Sequence, residues 1–242
     1  MRPPVDAVTF DFWNTLCYEP PGGYLRGLRL GAMREVLNRA GFICPPKALS
    51  DAYDDAWIRY VGCWEANRQY TGLDAAGDIA SSLQLAGSLR NEAVDAFCSV
   101  GNDADLLTLE GVAGVLAALV DAGVRVGIIC DVGFTPSHVL RYHLERHGML
   151  GYFSHWSFSD EVGVYKPDAR IFEHALGGLG APPPDRAAHI GDRRRTDMAG
   201  ALAAGMRGVR IIEVFDDDDD AQGPGGDAGV SGYDEVLEVL GF

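Results

Sequence analysis

Short apolar segments alternate with helical patterns along much of the chain, and this alternation limits the possible fold more than any other feature. The apolar runs have the length of buried strands. They cover residues 5–10, 124–130, 153–158, 187–190 and 208–214. Helical patterns between the later runs cover residues 110–122, 136–147, 168–179 and 197–205. Strands and helices in this order predict an α/β fold, a doubly wound parallel sheet with helices on both faces.

One long stretch interrupts the alternation. Residues 17–107 carry apolar side chains at helical spacing, which predicts an inserted domain of three or four helices. We therefore expect a core domain made of residues 1–16 and 108–242 and a helical domain at 17–107. The insert also carries an aromatic stripe, for which helix packing is favoured over lining of a substrate pocket. The stripe consists of Tyr53, Trp57, Tyr60 and Trp64.

The charge of the chain narrows the class of partner. The chain has 20 basic and 35 acidic side chains, and the formal net charge of -15 disfavours binding to nucleic acid or to anionic membranes. No apolar run reaches the length of a membrane span, and the N-terminus turns polar too early for a signal peptide, so we expect a cytoplasmic protein. The 5 cysteines lack CxxC spacing and favour reduced thiols over disulfides or a zinc site.

Polar side chains follow the predicted strands at the edge where the carboxyl ends of a parallel sheet meet. These residues are Asp11, Cys130, Asp131, Lys166, Asp192 and Asp197. Asp11 and Asp192 offer the hard oxygen ligands that Mg²⁺ prefers, so we expect both carboxylates to bind it. Lys166 supplies a positive charge for phosphate oxygens and for Asp11, which should stay ionised and able to attack phosphorus.

The order of these motifs resembles the haloacid dehalogenase superfamily of hydrolases, the largest part of which are phosphatases. The resemblance rests on "FDFWNTL", "EVGVYKPDARIF" and "HIGDRRRTDMAGALAAGM", and it spans nearly the whole chain. It implies a Rossmann-like core and identifies the insert as a helical cap that closes over the substrate and excludes water.

The resemblance also implies a role for each motif residue. Asp11 becomes the nucleophile that forms an aspartyl phosphate, and Mg²⁺ is held by Asp11, Asp192 and the backbone carbonyl of Trp13. Asp197 steadies Lys166 or the water shell of the metal. Thr15 braces the turn after the nucleophile. The substrate-binding positions implied in this way are Trp13, Thr15, Cys130, Asp131 and Lys166.

Two positions depart from the pattern of the phosphatases. Trp13 stands where they carry the aspartate that protonates the leaving oxygen and later activates water, and an indole does neither. Cys130 stands where they carry the serine or threonine that holds a phosphate oxygen, and its thiol is a weaker donor. Asp131 and Glu19 are candidate substitutes for the missing acid/base. Cys130 as a nucleophile is disfavoured, because no sequence cue places a histidine base beside it.

Three functions follow from the resemblance. The favoured prediction is a magnesium-dependent phosphatase that acts on a small phosphorylated metabolite, as a monomer or a homodimer. A 2-haloacid dehalogenase is the first alternative, since the dehalogenases carry a tyrosine at the position of Trp13. These enzymes work without metal, however, and their fourth motif lacks the Gly-Asp start that "GDRRRTD" retains. A catalytically silent binding protein is the second alternative.

Overall fold

The structure is a computed structural model that describes residues 5–217 and 223–242. The packing of the chain divides it into two compact units. The first, which we call the sheet unit, contains the described residues of 1–18, 107–131 and 141–242. The second, the helical unit, contains residues 19–106 and 132–140.

The two units differ from the predicted domains in the place of one segment. Residues 132–140, which follow the predicted strand at 124–130, group with the helical unit. The division into a core domain at 1–16 and 108–242 and a helical domain at 17–107 stays a prediction about parts that fold independently.

A parallel sheet forms the centre of the sheet unit. The strands in chain order are β1 (Ala7–Phe10), β2 (Cys17–Tyr18), β3 (Leu107–Thr108), β4 (Arg125–Cys130), β5 (His155–Phe158), β6 (Ala187–Gly191), β7 (Arg207–Ile211) and β8 (Ala228–Val230). Six of them form the sheet in the order β5-β4-β1-β6-β7-β8, and β2 and β3 form a separate antiparallel pair. The predicted doubly wound α/β fold with its parallel sheet is confirmed.

The nucleophile candidate follows one of the two central strands of this sheet. β1 lies between β4 and β6, with Ala7 paired to Arg125 on one side and to Ala187 on the other. All four residues of β1 are buried, because both faces of a parallel sheet are covered. This burial fits the buried strand predicted at residues 5–10.

Helices account for most of the remaining structure. In chain order they are α1 (Tyr24–Arg39), α2 (Pro46–Glu65), α3 (Gly72–Ser82), α4 (Gly87–Ser99), α5 (Val112–Asp121), α6 (Ser137–Arg146), α7 (Ser159–Val162), α8 (Ala169–Gly178), α9 (Ala199–Ala203) and α10 (Val236–Leu240). The helices α1 to α4 belong to the helical unit, within the predicted number. In the part of the chain that the structure describes, no helix has both the length and the hydropathy to cross a bilayer.

The aromatic stripe of α2 packs around a ring from outside the insert. Phe134 lies with its ring centroid 5.8 Å from that of Tyr53 and 5.4 Å from those of Trp57 and Tyr60. Tyr53 and Tyr60 are buried, and Trp57 is 46% exposed. Helix packing, the favoured interpretation of the stripe, therefore describes Tyr53 and Tyr60, and its central partner comes from residues 132–140.

Candidate active site

The carboxyl ends of three adjacent strands bring the first candidate residues together. Asp11 follows β1, Cys130 ends β4, and Asp192 follows β6. Because β1 pairs in parallel with both β4 and β6, these three strand ends meet at one edge of the sheet. Lys166 reaches the same edge from the loop after α7, and Asp197 lies in a π-helical turn at Arg194–Met198.

Lys166 is the centre of the charge network. Its Nζ lies 2.8 Å from Asp11 Oδ1 and 2.5 Å from Asp197 Oδ1, and it donates a hydrogen bond to the Ile129 carbonyl at 3.2 Å. The side chain is only 2% exposed. Burial lowers the pKa of Lys166, but the two carboxylates outweigh it and hold this pKa well above its usual value. Lys166 therefore stays charged at neutral pH.

Replacement of Lys166 by Met should strongly destabilise the protein. The variant leaves the buried carboxylates of Asp11 and Asp197 without their cation, and removal of one partner of a buried ion pair costs about 3–5 kcal/mol. Urea unfolding at pH 7 without added metal measures this loss. Lys47→Met is the matched control, because Lys47 is the other lysine of the chain and its pair with Asp51 is exposed. Equal stability of the two variants would contradict the network.

Asp197 is held by a partner that the sequence analysis missed. Its Oδ1 accepts from His189 Nε2 at 3.0 Å, and its Oδ2 accepts from the backbone N–H of Arg193 at 3.0 Å. His189 Nδ1 in turn lies 2.9 Å from Thr9 Oγ1, and all three side chains are buried. Burial raises the pKa of Asp197, but Lys166 and His189 outweigh it and hold this pKa well below its usual value.

Two signals in the sequence point to this arrangement. His189 is a polar residue within the otherwise apolar strand β6, and a buried polar group needs a partner. Gly191 provides the space for the partner, because a Cβ there would lie 2.4 Å from Asp197 Cγ. The side chain of Asp197 can therefore pass close to the end of β6.

Burial and neighbouring negative charge raise the pKa values of Asp11 and Asp192. Burial raises the pKa of Asp11 to about 6, against the opposing charge of Lys166, and Asp197 adds to the rise. Burial also raises the pKa of Asp192, and the nearby charges of Asp197 and Asp11 raise it further. The charge of Arg193 lowers this pKa only in part, as does the Asn14 side chain, which donates a hydrogen bond to Asp192 Oδ2 at 3.1 Å.

These carboxylates fit a divalent cation. Asp11, Asp192 and Asp197 each offer an oxygen, and these atoms lie within 4.8 Å of one another. Both oxygens of Asp197 already accept hydrogen bonds, from Lys166, His189 and the Arg193 N–H. We therefore expect Asp11 and Asp192 to be the pair that holds a metal. Hard carboxylate oxygens clustered in this way suit Mg²⁺. The carbonyl of Trp13 as a further ligand stays a prediction.

The residues of the second motif have definite structural partners. Burial raises the pKa of the Cys130 thiol well above its usual value, and the charge of Asp11 adds to this effect. Cys130 therefore stays a protonated thiol, which fits a weak donor and not a nucleophile. Asp131 Oδ1 accepts from the backbone N–H of Lys166 at 3.0 Å and so fixes the loop that carries the lysine.

Thr15 and Trp13 complete the first motif. The Thr15 side chain is fully buried, and its Oγ1 has no hydrogen-bond partner among the described residues, while its carbonyl accepts from the Tyr233 hydroxyl at 2.8 Å. Trp13 is half-buried, with its ring centroid 5.1 Å from that of Phe12 in an edge-on arrangement. The substrate contacts of Trp13, Thr15, Cys130, Asp131 and Lys166 stay predictions.

The two candidate replacements for the acid/base are already engaged. Asp131 binds the backbone of Lys166. Glu19 Oε2 accepts from the backbone N–H of Leu25 at 2.8 Å, in the first turn of α1. Neither carboxylate is left without a structural role, so neither is an obvious substitute for the aspartate that Trp13 replaces.

Comparisons with known proteins give one family. Residues 5–205 match the sequence profile of the haloacid dehalogenase-like hydrolases. The chain is 37% identical over 98 residues to pyrimidine 5'-nucleotidase YjjG of Escherichia coli, across 40% of this chain and 42% of that one. It is 36% identical over 96 residues to glyceraldehyde 3-phosphate phosphatase of Methanothermobacter thermautotrophicus, across 40% and 41% of the two chains. The matched segments thus span about two fifths of these relatives.

A solved structure of a dehalogenase, whose activity differs from that of the two relatives above, has the same fold. The 2-haloacid dehalogenase of Pseudomonas syringae superposes with a TM-score of 0.68 and 21% identity, across 98% of both chains. At this level of identity the likeness concerns the fold alone. The fold therefore does not discriminate between phosphoryl transfer and cleavage of a carbon–halogen bond, and the site residues must decide.

Proposed function

The chain belongs to the haloacid dehalogenase-like hydrolase family, and on that premise we propose that it is a magnesium-dependent phosphatase with an aspartyl-phosphate intermediate. The observation that carries this proposal is the buried pair Asp11 and Asp192, whose carboxylate oxygens lie within 4.8 Å of one another and of Asp197. Burial and the neighbouring carboxylates raise the pKa values of both residues. A hydrolase that displaces halide from carbon needs no metal-binding carboxylate at the position of Asp192. Phosphoryl transfer proceeds with a metal ion and therefore needs one.

The residues supply most parts of the proposed reaction. An oxygen of Asp11 attacks phosphorus, the bond to the leaving-group oxygen breaks, and that oxygen takes the electron pair. Lys166, 2.8 Å from Asp11 Oδ1, holds the nucleophile and provides positive charge for phosphate oxygens. Magnesium, when bound by Asp11 and Asp192, neutralises charge on the phosphoryl group. Water then cleaves the aspartyl phosphate, which releases phosphate and restores Asp11.

The proposed reaction has no assigned acid that protonates the leaving group. Trp13 carries no acid to protonate an alkoxide, and Asp131 and Glu19 are engaged with backbone N–H groups. Substrates whose leaving group is stable without a proton should therefore react fastest. The water step should be slow for the same reason, so the phosphoenzyme should accumulate.

The names of the two relatives support a small phosphorylated substrate. One is a nucleotidase and the other a phosphatase for a triose phosphate. Each aligned segment covers only about two fifths of the relative, so neither substrate is assigned to this chain. We propose a phosphate monoester of a small metabolite, hydrolysed by a monomer or a homodimer.

Two assays test the proposal against its alternatives. Release of inorganic phosphate from 4-nitrophenyl phosphate should require Mg²⁺ and stop with EDTA. Release of halide from 2-chloropropionate without metal would instead favour the dehalogenase, for which the aromatic Trp13 is the supporting feature. Activity in neither assay, across a panel of phosphate monoesters, would favour a silent binding protein.

Magnesium affinity should depend on Asp192. The variant Asp192→Asn removes one of the two carboxylates and much of the charge that attracts the cation, so we expect at least about a tenfold loss of Mg²⁺ affinity, which is about 1.4 kcal/mol. Isothermal titration calorimetry measures the affinity directly. Asp168→Asn is the control. Asp168 accepts from the backbone N–H of Arg170 in the first turn of α8 and is not one of the three clustered carboxylates, so Mg²⁺ affinity should not change. Parent-like Mg²⁺ binding by Asp192→Asn would exclude this metal site.

A further inference from the structure

A buried arginine of the helical unit lacks a counter-ion. Arg29 lies on α1 and is 5% exposed. Its Nη2 donates to Thr135 Oγ1 at 2.7 Å. Its guanidinium carbon lies 5.4 Å from the ring centroid of Phe97 and 5.8 Å from that of Phe134. Every one of these partners is uncharged, and all of them belong to the helical unit.

The donors of Arg29 are not all used. Its Nε is buried and has no hydrogen-bond partner among the described residues, and no described carboxylate lies within ion-pair distance of it. Burial lowers the pKa of Arg29, and the Tyr53 hydroxyl and the more distant charge of Glu19 oppose this only in part. A guanidinium nevertheless stays protonated at neutral pH. A positive charge is thus enclosed without a neighbour that neutralises it.

The preceding arginine of the same helix, Arg26, has a carboxylate that neutralises its charge. Arg26 Nη2 lies 2.8 Å from Asp54 Oδ1 and donates to Ser50 Oγ at 2.6 Å. It also lies over the ring of Tyr53, at 5.3 Å from the centroid. Arg26 therefore lies on the same helix as Arg29 and also against an aromatic ring, but it is partly exposed and has a carboxylate of its own. Buried charges are ordinarily paired, and Arg29 departs from that rule.

We propose that Arg29 is the anchor of a carboxylate-binding subsite in the helical unit. The rings of Phe97 and Phe134 lie against the guanidinium, so an incoming group must use its remaining N–H donors, including Nε. A carboxylate is planar and accepts two parallel N–H groups, which matches the fork of an arginine. The aromatic surroundings favour a carboxylate attached to a flat apolar group. The proposal concerns the helical unit alone and does not depend on the phosphatase chemistry.

Benzoate is a suitable probe, and benzamide is its neutral counterpart. Added to the parent protein at constant ionic strength, benzoate should raise the melting temperature, because a ligand that binds only the folded state stabilises it. Benzamide should not. In isothermal titration calorimetry, Arg29→Gln should lose at least about tenfold in benzoate affinity. Arg26→Gln, the matched control, should bind benzoate like the parent.

A second measurement is made on the parent protein, and a variant at position 29 serves only to assign the signal. In the ¹⁵N NMR spectrum of the parent, one arginine Nε–H signal should shift on addition of benzoate and not of benzamide. Arg29→Lys, which keeps the charge, should remove that signal. Equal effects of benzoate and benzamide on the parent would overturn the proposal, as would parent-like benzoate binding by a folded Arg29→Gln. Because the probe has no phosphoryl group, this outcome is independent of the assay for phosphate release.

Discussion

Replacement of Asp11 by Asn should abolish phosphate release, with a loss of about 10⁴- to 10⁶-fold in kcat, as for other nucleophiles of covalent catalysis. The amide oxygen is a poor nucleophile and cannot form the aspartyl phosphate. Brief reaction with a radioactive phosphate ester, followed by acid quench, should label the parent and leave the variant unlabelled. A label that persists in the variant, for example on Cys130, would show that another residue attacks phosphorus.

The same variant should be no less stable than the parent. Burial and the neighbouring Asp197 raise the pKa of Asp11 to about 6, so at pH 7 the ionised carboxylate is held in a place that disfavours its charge. A neutral amide relieves this, while Lys166 keeps Asp197 as its counter-ion. Thermal unfolding in EDTA should therefore show an equal or higher melting temperature. Asp6→Asn is the control, because Asp6 precedes the opposite end of β1 and pairs with Arg186. That variant should keep full activity.

Replacement of Trp13 by Asp should raise turnover on alkyl phosphates most and on aryl phosphates least. The variant restores a carboxylate where the phosphatases carry one, and general acid/base catalysis contributes roughly 10²- to 10⁴-fold in rate. Alkyl phosphates need the proton, whereas an aryl leaving group is stable without it. The parent should also show a burst of leaving group followed by slow phosphate release, which the variant should lose. Stopped-flow assays of 4-nitrophenyl phosphate measure the burst.

A control variant separates the effect of the new carboxylate from the effect of the smaller side chain. Trp13→Phe shortens the ring system without adding an acid, so it should give no gain on either class of ester. If the parent hydrolyses alkyl and aryl phosphates equally well and Trp13→Asp, correctly folded, gains nothing, then the acid/base lies elsewhere. Halide release by the parent would make Trp13 part of a dehalogenase pocket instead.

The sequence predicted the longer strands from their apolar runs, and the family from the order of its motifs. The apolar run at 124–130 became β4, and the parallel sheet and the hydrolase family are confirmed. The strands β2, β3 and β8 were missed, because two or three residues are too few for a period to show.

Partners distant in the sequence were beyond this kind of prediction. Asp11 and Asp192 each follow a predicted strand. The carboxyl ends of parallel strands lie at one edge of a sheet, so the sequence predicted both carboxylates at that edge. His189 and Gly191 indicate a buried polar partner at the end of β6, but the π-helical turn that brings Asp197 to His189 follows from no local sequence pattern. Likewise, the partners of Arg29 lie far from it in the sequence, since Thr135 is 106 residues away and Phe134 is adjacent to Thr135.

The central position of β1 has a consequence for synthesis on the ribosome. β1 leaves the ribosome before its neighbours β4 and β6, which follow only after the helical insert and, for β6, much of the remaining chain. Both edges of β1 are open until β4 is made, and the edge that pairs with β6 stays open until β6 is made. An unpaired apolar strand is prone to aggregation. The nascent chain therefore carries Asp11 long before Lys166, Asp192 and Asp197 exist. The duration of this exposure is set by the time needed to translate the chain from β1 to the end of β6 at Gly191.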